Sequence, residues 1–410
     1  MSADQKFRIG FCGWCVAFLV TAAAHAQEMP KSPDLDRVRL RAGPVLVNPT
    51  LAIPNAGIDT NVFNEPDYAE PDKDFTITFT PAADVWMRMG RSWIVGRVKE
   101  DLVWYSEFDS ERSANGNFTA SLLMPFNRLT AAVGGNWIDT RERPGFEIDT
   151  RAGRTESAYN GILEIRALSK TFLGVRGEHR SIEFDEGETY QGSDLSTELN
   201  RTVDNFSVTA RNQLTPLTSI TFAAGFVQER FDTSPLRDSD STRFDVGLSF
   251  DRFALITGSA TFGIRDFRPL SSDVPGYTGS TAAVNLSYTA LESTKLTFGV
   301  LRDVQYSYDI NQPYYLQSGF MVGLGQQIYG PIDAEFRVGF DRLAYADRQG
   351  ADIAVTDRVD HVRNYGGGLG YRLGRDFRLG FNVDRARRES ELPAHQFSGL
   401  RYGFTMTYGL

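Results

Sequence analysis

The last eleven residues, Leu400-Arg401-Tyr402-Gly403-Phe404-Thr405-Met406-Thr407-Tyr408-Gly409-Leu410, alternate without a break: even positions are large and mostly apolar, odd positions small or polar. Successive side chains of an extended strand point to opposite faces, so Tyr402, Phe404, Met406, Tyr408 and Leu410 share one face and Arg401, Thr405 and Thr407 the other. A strand of a soluble sandwich would read the same way. The number of such segments decides between the two. Phe244, Val246, Leu248 and Phe250 oppose Arg243, Asp245 and Ser249; Phe336, Val338 and Phe340 oppose Glu335, Arg337 and Asp341; Phe377, Leu379, Phe381 and Val383 oppose Arg378, Asn382 and Asp384. Charges set mid-strand behind a continuous apolar face need water on their own side, because an unpaired buried charge is costly. A wide, wet lumen supplies that water.

Outward from this unit, the chain from Arg37 onward divides into about eighteen alternating strands joined by turns that are short, then long, then short. This pattern specifies an all-β transmembrane antiparallel up-and-down β-barrel, with roughly sixteen to twenty strands admissible. Short turns are expected at 89–92, 125–127, 168–171, 215–218, 251–253, 291–294, 329–331 and 374–376. Longer loops are expected between them, at 58–73, 107–113, 139–153, 185–200, 232–239, 269–275 and 346–357, with brief ones near Asp309 and Glu391. Outer-membrane barrels keep short turns in the periplasm and long loops outside, which places both termini in the periplasm. An even strand count also closes without an edge, as a bilayer requires.

Composition agrees. Mean hydropathy is negative although 12% of the 410 residues are aromatic, because a barrel hides its lipid face within alternation. The one apolar run, from Ile9 to Ala24, follows Lys6 and Arg8 and ends at Ala24-His25-Ala26, so residues 1–26 read as an export signal and 27–410 as the barrel. Both cysteines, Cys12 and Cys15, fall in the signal, leaving the mature chain without a disulfide or a thiolate. The expected location is the outer membrane of a Gram-negative cell, with lipid and lipopolysaccharide around the wall. The alternating aromatic ending, Tyr402, Phe404, Met406, Tyr408 and Leu410, resembles the signal read by outer-membrane assembly machinery, although Leu410 replaces the usual terminal phenylalanine.

Aromatic residues form two expected belts. Phe126, Phe172, Phe250, Phe253, Tyr288, Tyr329, Tyr371, Phe377 and Tyr408 stand beside the short turns; Trp104, Tyr105, Trp137, Phe184, Phe231, Phe267, Tyr306 and Tyr345 stand near the long loops. The alternative is that aromatics favour strand ends in any β protein. The acidic loops that carry much of the net charge of −9 read either as a solvated outer surface or as carboxylates that hold cations or repel anions at the mouth. Facing the lumen, the alternation places Arg97, Lys99, Arg176, Arg243, Asp333, Glu335, Arg337, Asp341, Arg378 and Asp384. Nearly balanced signs argue against strong ion selectivity and suit a hydrated, weakly charged solute.

The segment Arg39-Leu40-Arg41-Ala42-Gly43-Pro44-Val45-Leu46-Val47-Asn48-Pro49, continuing to Gly57-Ile58-Asp59-Thr60-Asn61-Val62-Phe63, resembles the opening of the putative β-barrel porin 2 family. Asp59, Asn61, Val62 and Phe63 match its motif, and Ile58 stands where a tyrosine is usual. The resemblance implies a porin-like barrel and, from several members, polysaccharide export with export proteins as partners. Read on their own, Asp59 and Asn61 are turn residues bonding nearby backbone.

Enzymatic readings find no footing. His179, His361 and His395 lie in no recognisable nucleophile, triad or metal-ligand motif, and no H-E-x-x-H, nucleophile elbow or P-loop occurs, so no catalytic, cofactor or metal residues are assigned. Residues 27–36 are too few for a TonB-type plug, and no basic patch suits nucleic acid. The expected function is a passive conduit for hydrophilic solute, the alternative a non-conducting structural or assembly component of an envelope complex. The 185–200 loop is long enough to constrict the lumen.

Overall fold

The computed structural model describes residues 29–30, 33–35, 38–251, 254–291, 293–374 and 376–409. The expected signal at 1–26 and the terminal Leu410 lie outside the described residues. The wall consists of β1 Val45–Asp59, β2 Asp74–Met89, β3 Ser92–Tyr105, β4 Ser113–Pro125, β5 Leu129–Glu142, β6 Ala152–Arg166, β7 Thr171–Phe184, β8 Arg201–Thr215 and β9 Thr218–Phe231. It continues as β10 Ser239–Phe250, β11 Ile256–Pro269, β12 Tyr277–Ala290, β13 Thr294–Tyr306, β14 Tyr314–Tyr329, β15 Ile332–Ala346, β16 Val359–Leu373, β17 Phe377–Glu389 and β18 Phe397–Tyr408. Each strand pairs antiparallel with its sequence neighbours, and β18 returns to β1, closing the ring. Closure leaves no unpaired backbone edge for lipid to meet.

Period two sorts the side chains as the alternation requires. On β15, Phe336 is 59% exposed while Asp333 and Glu335 are fully buried on the other face. On β18, Phe404 is 68% exposed while Thr405 and Thr407 are buried. Outward rings line up across strands: Phe320 sits opposite Phe340 at 5.1 Å, and Phe340 meets Tyr365 edge-on at 5.8 Å. Such cross-strand pairs fix register as well as adding contact, since a one-residue slip would send the whole apolar face inward. Tight turns need backbone with positive φ, which glycine supplies at Gly90 (φ 62°) and Gly330 (φ 54°).

The closing seam is irregular. Pro54 cannot donate to a ladder, and the β1 register shifts there against both β2 and β18. The seam resumes at Ala56, and next to it Gly57 and Gly403 touch; a Cβ on Gly57 would lie 2.0 Å from the Tyr402 carbonyl oxygen. Below Leu51, β1 pairs instead with a short strand, Leu40–Ala42.

Two expectations are corrected. β5 and β6 extend further than the turn signals suggest, so the loop expected at 139–153 is only 143–151. The upper aromatic belt is only partly a belt. Trp104 and Trp137 face outward, 42% and 47% exposed, but Tyr105, Phe184, Phe231, Phe267 and Tyr345 are buried on the inner face. Tyr306 joins them although alternation sets it opposite Asp303: β13 pairs with β12 only as far as Arg302, and past that point the Tyr306 ring packs on Phe231 (4.7 Å) and Phe267 (6.2 Å).

Candidate functional site

Loops fold inward over one end of the barrel, and the 143–151 loop crosses it. Although it springs from β5 and β6, its contacts lie on distant strands and loops. The Glu147 carboxylate accepts from the Ser307 hydroxyl (2.7 Å) and the Tyr308 amide (3.3 Å), between β13 and β14. The carbonyls of Phe146 and Glu147 accept from Arg388 on β17 (2.7 and 3.0 Å). Asp149 forms an ion pair with Arg388 and also accepts from the hydroxyl of Tyr190 (2.9 Å) and the side-chain amide of Asn64 (3.0 Å).

The 185–200 loop, expected to form the constriction, covers this knot rather than forming the crossing itself. Its Tyr190, Leu195 and Leu199 join Ile148, Ile182, Phe184, Phe231 and Tyr308 in one apolar cluster. Leu195 and Leu199 lie on a short helix, Leu195–Leu199, capped by Asp194, whose carboxylate accepts from the Thr197 amide at 2.9 Å. Glu198 of this helix pairs with Arg237, which in turn donates to the carbonyls of Ser307 and Tyr308, both at 3.0 Å.

His395 completes the knot. Its ring nitrogens face the hydroxyls of Tyr190 (3.3 Å) and Tyr308 (3.4 Å) and the Arg388 guanidinium (3.3 Å). Burial, with the charges of Arg358 and Arg388, pushes its pKa down to about 3. Burial also pushes Glu147 up to about 7. The same burial raises the phenols of Tyr190 and Tyr308 above their ordinary range. Two phenols and a guanidinium around an imidazole hold structure; none is an activated nucleophile.

The motif residues sit at the foot of this knot. The Asp59 carboxylate pairs with Arg401 and accepts from the Asn61 amide at 3.1 Å. The Asn61 side-chain amide donates to the carbonyls of Glu65 (3.0 Å) and Ser398 (3.1 Å). The Val62 side chain is fully buried, and its carbonyl accepts from Arg143 (2.7 Å) and Arg151 (3.0 Å), the two ends of the crossing loop. Phe63 packs edge-on against Phe108 at 4.9 Å. Asp59 and Asn61 thus do bond nearby backbone as turn residues, and the turn they shape anchors the loop.

The residues placed on the lumen face by alternation are mostly held in cross-strand ion pairs. Arg337 bridges Glu335 (3.2 Å) and Asp384 (2.8 Å); Arg378 bridges Asp333 (2.6 Å) and Glu335 (3.0 Å). Arg243 meets Asp303 at 2.8 Å, and Lys99 meets Asp101 at 2.5 Å. Asp341 accepts from Gln317 at 2.9 Å, Arg97 lies loosely by Asp84 at 3.8 Å, and Arg176 is half-buried on β7. Sequence reading missed Arg388, Glu147, Asp149 and Arg201. Arg388 shares parity with Arg378 and Asp384, a signal that was there to use; the loop residues carried none.

A ring of eighteen strands, apolar outside and ion-paired inside, with loops folded over one end, is a porin-like channel of the outer membrane. The chain belongs to the family described as Putative beta-barrel porin 2, whose model matches residues 32–408. Among solved structures it is similar in fold to OccK2 (OpdF) of Pseudomonas aeruginosa in complex with glucuronate, at 10% identity over 89% of this chain and 98% of that one, TM-score 0.46. A BenF-like porin from Pseudomonas fluorescens Pf-5 gives 11% over 89% and 99%, TM-score 0.46; the FrpB iron transporter from Neisseria meningitidis gives 9% over 84% and 62%, TM-score 0.44. No curated protein matches it in sequence.

Proposed function

We propose that this channel is a passive conduit for small hydrophilic solutes whose mouth is kept closed by the 143–151 loop. The observation that carries the reading is the Arg388 knot, in which one guanidinium holds the carbonyls of Phe146 and Glu147, the carboxylate of Asp149 and the carbonyl of His395 together. A device that fastens a loop across a lumen has a use only if the lumen conducts when it is released. The polysaccharide export implied by the family resemblance draws no support from this geometry, because a sugar polymer would have to displace the whole knot. Catalysis is not assigned, in keeping with a family of porins. We also keep residues 1–26 as a removable export signal, for which N-terminal sequencing of membrane-inserted protein should read Gln27.

Planar-bilayer recording of the refolded full chain tests the conduit. Potassium chloride current with rare openings is expected, rising when the knot is broken by Asp149→Asn. Silence in both proteins would favour the structural-component reading.

A further inference from the structure

Arg201, the first residue of β8, differs from the arginines around it. Arg154 and Arg180 both pair with Glu156, and Arg243 and Arg265 both pair with Asp303. Arg201 is buried, yet among the described residues no carboxylate lies within ion-pairing distance of it. Its Nη1 donates to the Leu199 carbonyl at 2.9 Å, its Nε is buried without a partner, and no hydrogen bond engages Nη2. The guanidinium lies against a pair of touching aromatic rings, 5.6 Å from the Phe231 centroid and 5.4 Å from that of Tyr306. The unengaged edge is therefore the Nε–Nη2 fork, whose two parallel N–H bonds match the two oxygens of a carboxylate.

Two cavities of the inner wall meet at this side chain. One runs under the crossing loop past Glu147, Ile148 and Tyr315; the other runs down the wall toward Arg243 and Arg265. The ionisable groups lining the upper one are Arg154, Arg180 and Arg201 against Glu156 and Glu147, so positive charge is in excess where the lumen as a whole is nearly balanced. Glu147 is already engaged by Ser307 and Tyr308. Ile182, Phe184 and Leu199 supply an apolar wall beside the charge.

We infer that Arg201 is a binding site for the carboxylate of a small organic acid with an apolar or ring body, taken up within the lumen. This names a solute class for the conduit proposed above and rests on that reading for its role in passage, while binding itself does not require conduction.

The test uses the refolded full chain with benzoate as probe, benzamide as its neutral counterpart and inorganic phosphate as an anion without an apolar body. Benzoate should interrupt the potassium chloride current in a concentration-dependent way and be retained by the micellar protein in equilibrium dialysis, while benzamide and phosphate do neither at the same concentrations. Arg201→Gln should weaken the benzoate effect at least tenfold, scored as the fraction of each protein's own benzoate-free current; Arg201→Lys, charged but without the fork, should fall between. Equal effects of benzoate and benzamide, or of benzoate and phosphate, would overturn the site. So would current with no benzoate response, which leaves the conduit standing. Benzoate retention in dialysis lost in Arg201→Gln, in a protein that passes no current, would uphold the site and sink the conduit. If Arg201→Gln does not reach the heat-modifiable form, the benzoate and benzamide contrast on the unaltered chain decides alone.

Discussion

Arg388 and Asp149, 239 residues apart in sequence, form a buried ion pair that joins the wall at β17 to the loop crossing from β5 and β6. Removing one partner of a buried pair leaves an uncompensated charge and typically costs about 3–5 kcal/mol. Asp149→Asn should fall at the lower end, since Arg388 keeps the Phe146, Glu147 and His395 carbonyls as acceptors. The loss belongs to the closed loop and not to the ladder. Single-channel recording should show a large rise in open time with an unchanged heat-modifiable band; open times equal to those of the unaltered protein would refute the latch.

Closure should depend on pH in opposite ways at two residues. His395, with its pKa lowered from 6.5 to about 3, stays neutral in the closed knot, so closure is favoured above pH 6.5 and weakens as pH falls toward 3. Glu147, raised from 4.5 to about 7, stays protonated, so closure is favoured below pH 4.5 and weakens as pH rises toward 7. Between pH 4.5 and 6.5 the two slopes cancel. Below 4.5 the His395 slope stands alone and amounts to about 2 kcal/mol by pH 3, at 1.36 kcal/mol per unit. Open probability should therefore be lowest on this plateau. Glu147→Gln should remove the rise at higher pH and His395→Gln the rise at lower pH; a flat profile in the unaltered protein would exclude both.

The two faces of the wall should respond differently to charge. Val338 lies between the outward rings of Phe336 and Phe340, and Val338→Arg should cost about 2–4 kcal/mol of folding in lipid vesicles. On the inner face the outcome varies with pairing. Arg97→Glu, at a side chain 61% exposed, should change ion selectivity with insertion intact. Arg337→Glu would set a third carboxylate between Glu335 and Asp384 and should impair folding as well. Denaturant titration and reversal potentials check the two.

Deleting 401–410 should abolish the folded, heat-modifiable barrel. β18 pairs with both β17 and β1, so its loss exposes two edges at once as well as removing the aromatic ending. Normal insertion of the truncated chain would overturn this.

The wall was legible because alternation is local: Phe336 beside Arg337 carries its own facing. The same rule, applied further, would have placed the misassigned aromatics other than Tyr306. Phe184 shares parity with Arg180, Phe231 with Glu229 and Phe267 with Arg265, so each was marked as inward by a charge on its own strand. Nearness to a loop was the weaker signal. The knot was not legible, because Glu147 and Asp149 have no periodicity to read and their partners at Ser307 and Arg388 are brought near only by closure of the ring. Arg201 was hidden for a further reason: what distinguishes it is a missing carboxylate, and a sequence does not show which charges go unmatched.

The seam at Pro54 gives the ring a buckle. β1 is made first and its partner β18 last, so one flank of β1 must wait for the rest of the wall to be laid down. Part of that flank is hemmed by Leu40–Ala42, and the remainder fastens only from Leu51 to Ile53 and from Ala56 to Asp59. Under lateral tension such a cylinder would tear along this line before any other shared by two full-length neighbours, and a newly made one would be fastened there last.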